Sequence, residues 1–247
     1  MITSFFANGF STDSFVQFLM IIPIVLISLS FHEMSHGYVA YLCGDNTARN
    51  FGRITMNPIK HLDPIGALMM LIFGFGWAKP VPINTRNFKK FKRDLVLVSL
   101  AGPVSNLLLA FIGFTLMFVT SKIISTNLIY ANGVFYSGTL SVLGELVFTF
   151  FYLFGVLNVG LAVFNLIPLP PLDGSRILSV ILPPRLSYSY SKIESYTRYI
   201  FLFLVLASYI PFNIGPFSSL YDLVFYPVYK LRILIIEGMI YILSLIF

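Results

Sequence analysis

The sequence predicts an all-α polytopic membrane protein, and three observations carry that prediction. Hydrophobic residues make up 57% of the 247 positions and charged residues only 11%, where a soluble domain is about half apolar and a quarter charged. Three long apolar runs, at about 14–42, 95–121 and 146–168, are each long enough to cross a bilayer. Basic residues gather between the runs rather than inside them, as loops on the cytoplasmic side do. A shorter glycine-interrupted segment follows the first run, and about two further apolar segments follow the third. The expected architecture therefore has three spanning helices, a re-entrant segment and about two extra C-terminal membrane segments. It is read as one membrane domain over 1–247, with its core at about 14–180 and a helical addition at about 181–247.

The first run is uncharged from Ser14 to Phe31, and its helical reading continues to about Leu42. Pro23 is tolerated there as a kink, and Gly44-Asp45-Asn46 ends the helix. Residues 44–63 read as polar and irregular, with Arg49, Arg53 and Lys60. Ile65 to Ala78 is apolar but too short to span as a helix, and it contains Gly66, Gly74 and Gly76. Such a segment is expected to re-enter the membrane with its backbone buried in protein. Pro80 and Pro82 follow, so a strand near Val81 should lie at an edge.

Arg86, Lys89, Lys90, Lys92 and Arg93 form the densest basic cluster. The uncharged span from Leu95 to Ser121 carries Gly102-Pro103 and Asn106, which are unusual inside a membrane helix. Leu146 to Leu166 spans again, with Asn158 and Asn165 embedded, and runs into Ile167-Pro168-Leu169-Pro170-Pro171-Leu172-Asp173-Gly174. The final apolar segments are Tyr199 to Ile210 and about Leu223 to Phe247, the latter broken by Lys230, Arg232 and Glu237.

The net charge of +6 informs topology rather than nucleic-acid binding, and the bilayer itself is the expected environment. Basic loops at 44–63 and 79–94 put the N-terminus outside and the end of the first helix toward the cytoplasm. The second helix then runs out and the third returns, bringing Asp173 to the side and depth of the first helix's end. Cys43 is the only cysteine, so no internal disulfide forms, and it reads as a small buried apolar residue. Met1 to Ser14 holds no basic residue and so lacks the charged start of a secretory signal. No internal repeat, low-complexity tract or long polar linker interrupts the chain.

Chemistry concentrates at Phe31-His32-Glu33-Met34-Ser35-His36. Histidines four apart fall on one helix face and can reach a single metal ion. Glu33 can then act as general base on a water whose pKa the metal lowers to about 7. Ionisable groups at the end of an apolar span are costly without partners and mark functional sites. A catalytic zinc takes three protein ligands and leaves one position open. The candidates for the third are His61, Asp45, Asp63 and Asp173. Asp45 and Asp63 read as surface or turn carboxylates of an exposed loop. Asp173 follows a proline-stiffened turn at a helix end and is favoured.

Four blocks occur in order: His32 to His36, Asn57 to Gly66, Gly76-Trp77-Ala78-Lys79-Pro80-Val81-Pro82, and Asn165 to Gly174. Together they resemble the site-2 protease family, most closely its compact bacterial-type branch. The family's members are intramembrane zinc metalloproteases. The resemblance covers about residues 30–180. It implies His32, His36 and Asp173 as ligands of one zinc ion, Glu33 as the catalytic acid/base, and a three-helix core. It also implies a bacterial cell membrane location and transmembrane protein substrates. Asn165 matches a family asparagine expected to contact substrate or oxyanion. His61 matches a motif position read either as a structural hydrogen-bonding histidine or as an active-site group. The stretch from Gly76 to Asn84 resembles the re-entrant hairpin whose edge could pair with an unwound substrate. Neither an inserted PDZ-like segment nor a cystathionine-synthase-type domain after residue 180 is seen, so those substrate filters are not expected.

The implied reaction is peptide hydrolysis within membrane-spanning segments, with Glu33 moving the proton from water to the leaving amine. Two other classes compete. One is a non-catalytic metal-binding protein that sequesters membrane partners, which the retained Glu33 argues against. The other is a small metal transporter, for which three histidines and few buried carboxylates make a poor ion path.

Overall fold

The computed structural model describes residues 12–66, 77–123, 129–131, 134–136, 142–183, 185–188, 190, 192, 196, 203 and 220–247. Within the first apolar run, Thr12–Leu42 forms one continuous helix, α1, with Pro23 inside it. Its serines are accommodated in apolar surroundings because Ser28, Ser30 and Ser35 donate to the carbonyls of Ile24, Leu26 and Phe31, one turn back. The second run becomes α4, Phe91–Ile123, which starts four residues before the expected boundary. Asp94 explains the shift. It is fully buried and accepts from the Lys90 N–H at 2.7 Å and from Arg93 Nε at 2.8 Å. Free amides of the first turn are satisfied and part of the basic cluster is drawn into the helix. The third run is α5, Val142–Asn165. These three helices are long and apolar enough to cross a membrane.

The segment expected to be irregular contains two short helices, α2 (Thr47–Asn50) and α3 (Pro58–His61). Asn57 caps α3 by accepting from the Ile59 N–H, and Pro58 sits at its first position. Between α4 and α5 lies a two-stranded antiparallel pair, β1 (Ile129–Ala131) and β2 (Val134–Tyr136), which an all-α reading did not anticipate. After α5, a turn through the prolines leads to α6, Asp173–Ile181. The last described helix, α7, spans Leu220–Ser244. Of the expected re-entrant segment, residues 67–76 lie outside the described residues, as does nearly all of the apolar stretch at 199–210.

Helix α4 is the centre of the bundle. Its Ala110, Phe114 and Met117 pack with Phe148, Val159 and Val163 of α5 and with Ile236, Ile240 and Leu243 of α7. On another side Leu109 meets Ile24 of α1 and Phe154 of α5. The α4–α5 crossing is close because Gly113 and Gly155 face each other. A methyl at Gly113 would stand 3.0 Å from the Gly155 backbone nitrogen. Small residues at a membrane helix crossing let the backbones approach in this way. Apolar side chains such as Leu108 and Ile112 of α4 stay exposed, as a surface facing lipid requires.

Candidate metal centre

Helix α1 carries His32 and His36 one turn apart on the face that meets α4. Both are buried. What lets them lie there is Gly102 of α4, since a methyl at that position would collide with both imidazoles. Each ring is fixed through its Nδ1. That of His36 lies 2.6 Å from the Val98 carbonyl, and that of His32 lies 3.2 Å from Asn106 Oδ1. Carbonyl oxygens only accept, so Nδ1 carries the hydrogen in both rings and the Nε2 lone pairs point elsewhere.

They point at each other and at Asp173. His32 Nε2 and His36 Nε2 are 3.0 Å apart, and Asp173 Oδ2 lies 3.2 Å from the first and 3.1 Å from the second. Asp173 reaches them because the turn at 166–172 is tied internally. Leu169 donates to the Ile167 carbonyl and Leu172 to that of Leu169, after which α6 begins at Asp173 and packs against α4. Gly174 allows the approach, since a side chain there would strike the Leu166 carbonyl.

Among the described residues this is a cluster of three donors able to hold a metal. Donors about 2.1 Å from one tetrahedral zinc stand about 3.4 Å apart, so the triangle needs to open by only a few tenths of an ångström. Three electron-rich atoms this close need a positive charge between them. The donor set fits zinc.

The sequence profile of peptidase family M50 matches residues 20–208. The chain belongs to peptidase family M50. This is the site-2 protease family, and the protein is a zinc metalloprotease embedded by apolar helices. A Bacillus subtilis protein named "Putative zinc metalloprotease YwhC" is 47% identical over 180 residues, covering 73% of this chain and 77% of that protein. "Putative zinc metalloprotease Rip2" of Mycolicibacterium smegmatis is 30% identical over 174 residues, covering 68% of this chain and 59% of the relative. An archaeal relative, "Putative zinc metalloprotease MJ0611" of Methanocaldococcus jannaschii, is 27% identical over 172 residues, covering 68% and 75%. No solved structure gives a significant match.

The remaining residues singled out in this M50 chain fall in different places. Glu33 is half-buried, and its Oε2 accepts from the Val81 N–H at 2.9 Å. Val81 lies in the stretch from Ala78 to Asn84, which forms no strand and makes a single bridge, Ala78 with Leu62. Lys79 N–H donates to the His61 carbonyl, and the carbonyls of Lys79 and Pro80 accept from Arg53. His61 is buried but stands apart from the donor triangle, with Nε2 2.9 Å from the Thr55 carbonyl. Asn165, the last residue of α5, donates Nδ2 to the Leu161 carbonyl of its own helix. No described bond joins it to the three donors.

Asp63 caps a turn by accepting from Ile65 and Gly66. Asp45 corrects the expectation of an exposed loop carboxylate, because it is fully buried. It accepts from Thr47 N–H and Oγ1, Asn84 N–H and Asn87 Nδ2. Asn106 and Gly102 are site residues that sequence reasoning noticed only as oddities of a membrane helix. Their signal was a polar and a side-chain-free position at spanning depth.

Proposed function

We propose that this M50 metalloprotease hydrolyses peptide bonds within membrane-spanning segments of other proteins, using His32, His36 and Asp173 as zinc ligands and Glu33 as proton carrier. The observation that carries this reading is the 3.0–3.2 Å triangle of His32 Nε2, His36 Nε2 and Asp173 Oδ2, two of whose corners stand on a helix apolar enough to span. Zinc held there supplies a Lewis acid for the scissile carbonyl and a water of lowered pKa. The chain's own groups do the rest. Val98 and Asn106 fix both imidazoles through Nδ1, and Gly102 keeps the face of α4 open to them. Glu33 takes the water's proton and returns it to the departing amine.

A substrate helix hides its carbonyls in its own hydrogen bonds and must unwind locally before attack. The extended stretch around Val81 can hold an unwound strand by backbone bonds. Since the Val81 N–H is bonded to Glu33, such pairing exchanges one acceptor for the other. Asn165 remains the proposed substrate or oxyanion contact at the end of α5.

Two variants in proteoliposomes, with zinc measured beside cleavage, test the assignment. Glu33→Gln should abolish cleavage while retaining zinc, and full residual activity would remove Glu33 from the mechanism. Asp173→Ala should lower zinc content at least tenfold; unchanged metal would overturn the ligand set. Comparing membrane-protein termini in cells carrying wild-type protein or Glu33→Gln then identifies substrates.

A further inference from the structure

Arg53 is a buried cation with no part in the mechanism above. It lies between α2 and α3 and is 8% exposed, and an arginine that deep needs partners. Among the described residues no carboxylate pairs with it. Its Nη2 donates instead to two backbone carbonyls, Lys79 at 2.7 Å and Pro80 at 3.3 Å. The arginine's own backbone is anchored, since its N–H donates to the carbonyl of Ala48, a buried residue of α2. A fixed charge is thus aimed at one short stretch of main chain.

That stretch leads to Glu33. Pro80 and Pro82 have no N–H, so Val81 supplies the sole amide donor from 80 to 82, and it donates to Glu33 Oε2 at 2.9 Å. The Val81 side chain is buried against the same helix, because a methyl at Gly37, one turn after Glu33, would stand 3.2 Å from Val81 Cγ1. The Pro80 carbonyl and the Val81 N–H belong to one trans peptide unit and point in opposite directions. Arg53 therefore grips from behind the same rigid plane that faces Glu33 in front. Hydrogen bonds at the two ends of a peptide unit also polarise each other, so the guanidinium strengthens the donor that Glu33 meets.

We propose that Arg53 is a positioning residue for the reaction. Held against the Pro80 carbonyl, it sets the direction and donor strength of the Val81 N–H, and through that N–H the place of the Glu33 carboxylate. When a substrate strand takes over the N–H, Arg53 keeps the peptide plane facing α1 while Glu33 is released to the water. The inference rests on the proteolytic reading above for its effect on rate, and on the hydrogen bonds alone for its effect on Val81.

Arg53 also borders an open pocket of about 520 Å³, together with Phe51, Lys60, Lys79 and Pro80, so a small cation can enter once the side chain is shortened. Full-length wild type and Arg53→Ala are compared in detergent micelles, with and without ethylguanidinium, and zinc is measured in each. Labelling with 13C′-proline and 15N-valine isolates three peptide units, at 80–81, 103–104 and 227–228, and Val81→Ile identifies the first. The Val81 amide proton should move upfield in Arg53→Ala and return with ethylguanidinium. The rate probe is a single-span leucine–alanine peptide with a central Asn-Pro pair to unwind it. Its kcat/KM should fall about tenfold to a hundredfold in Arg53→Ala, as it does when catalytic groups are misplaced. Ethylguanidinium should restore it, and tetramethylammonium, which has the charge but no donor, should not. An unmoved Val81 resonance, an unchanged kcat/KM or a loss that ethylguanidinium fails to restore would each overturn the assignment. If Arg53→Ala loses zinc, Arg53→Gln, too short to reach the carbonyls, carries the resonance and rate readouts. Loss of zinc in both would make Arg53 a prop of the fold and likewise overturn it. A probe left uncut by the wild type would count against the proteolytic reading, while the Val81 resonance would still decide the role of Arg53.

Discussion

Asn106 shows how a residue outside the ligand set can govern a metal. It is fully buried and presents Oδ1 to His32 Nδ1 at 3.2 Å, which fixes both the tautomer and the angle of the ring. Replacing it with leucine keeps similar bulk and removes that partner. Outer-shell losses of this kind weaken metal affinity by about 10–100-fold. Titration of Asn106→Leu against a competing chelator should show a drop in that range, with helix content unchanged. The histidine pair was legible at once, because four-residue spacing on a helix is a local property. Asn106 lies 74 positions from His32, and only the packing of α4 on α1 reveals what it serves. His61 was legible as a motif position but not as a role. Its bond to Thr55 is a fact of a loop's shape.

One carboxylate joins the end of α1 to the stretch before α4, beside the bond from the Lys89 N–H to the Cys43 carbonyl. Asp45 lies in the turn after α1 and gathers donors from Thr47, Asn84 and Asn87. The Val81 segment thereby hangs between Asp45 and Glu33. Burial opposes ionisation of Asp45, but these hydrogen bonds outweigh it and hold its pKa below the ordinary value. A carboxyl lowered on folding contributes stability that is present above the unfolded value of about 3.9 and is lost as pH falls through the folded one. Asp45→Asn should therefore destabilise the solubilised protein by about 1–3 kcal/mol at neutral pH. Thermal melts of the two proteins should begin to converge as pH falls below the unfolded value of about 3.9 and meet only beneath the lowered folded one, where the wild type loses the same charge. The sequence placed Asp45 in a basic loop, and reading it as exposed followed from counting charges. Nothing local signals that Asn84 and Asn87 fold back over it. Pro80 and Pro82 limited any strand near Val81 to an edge, and there the described residues show one isolated bridge, Ala78 with Leu62, rather than a strand.

At the level of the whole molecule, the three spanning helices were readable because a bilayer imposes length and apolarity on any chain that crosses it. The end of α1 falls at Leu42 as expected, whereas α4 starts four residues early, where Asp94 accepts from the Lys90 N–H and Arg93. The strand pair between α4 and α5 was not readable, being only three residues to a side. Orientation follows from charge placement, and the basic loops predict that the metal centre opens toward the cytoplasm. In a Cys43→Ser background, Lys92→Cys on the exposed start of α4 should react with a membrane-impermeant maleimide in inverted vesicles and not in right-side-out ones. The opposite pattern would reverse the topology.

Because Gly102 leaves the two imidazoles resting on bare backbone, the metal centre is composed of parts made at widely separated times. The ribosome delivers His32 and His36 with the first helix, Val98, Gly102 and Asn106 with the second, and Asp173 only after the third has been synthesised. A chain interrupted anywhere between residues 42 and 172 lacks the carboxylate, and one interrupted before residue 98 also lacks the seat for the rings. Fragments released by stalled translation thus lack the three-donor cluster.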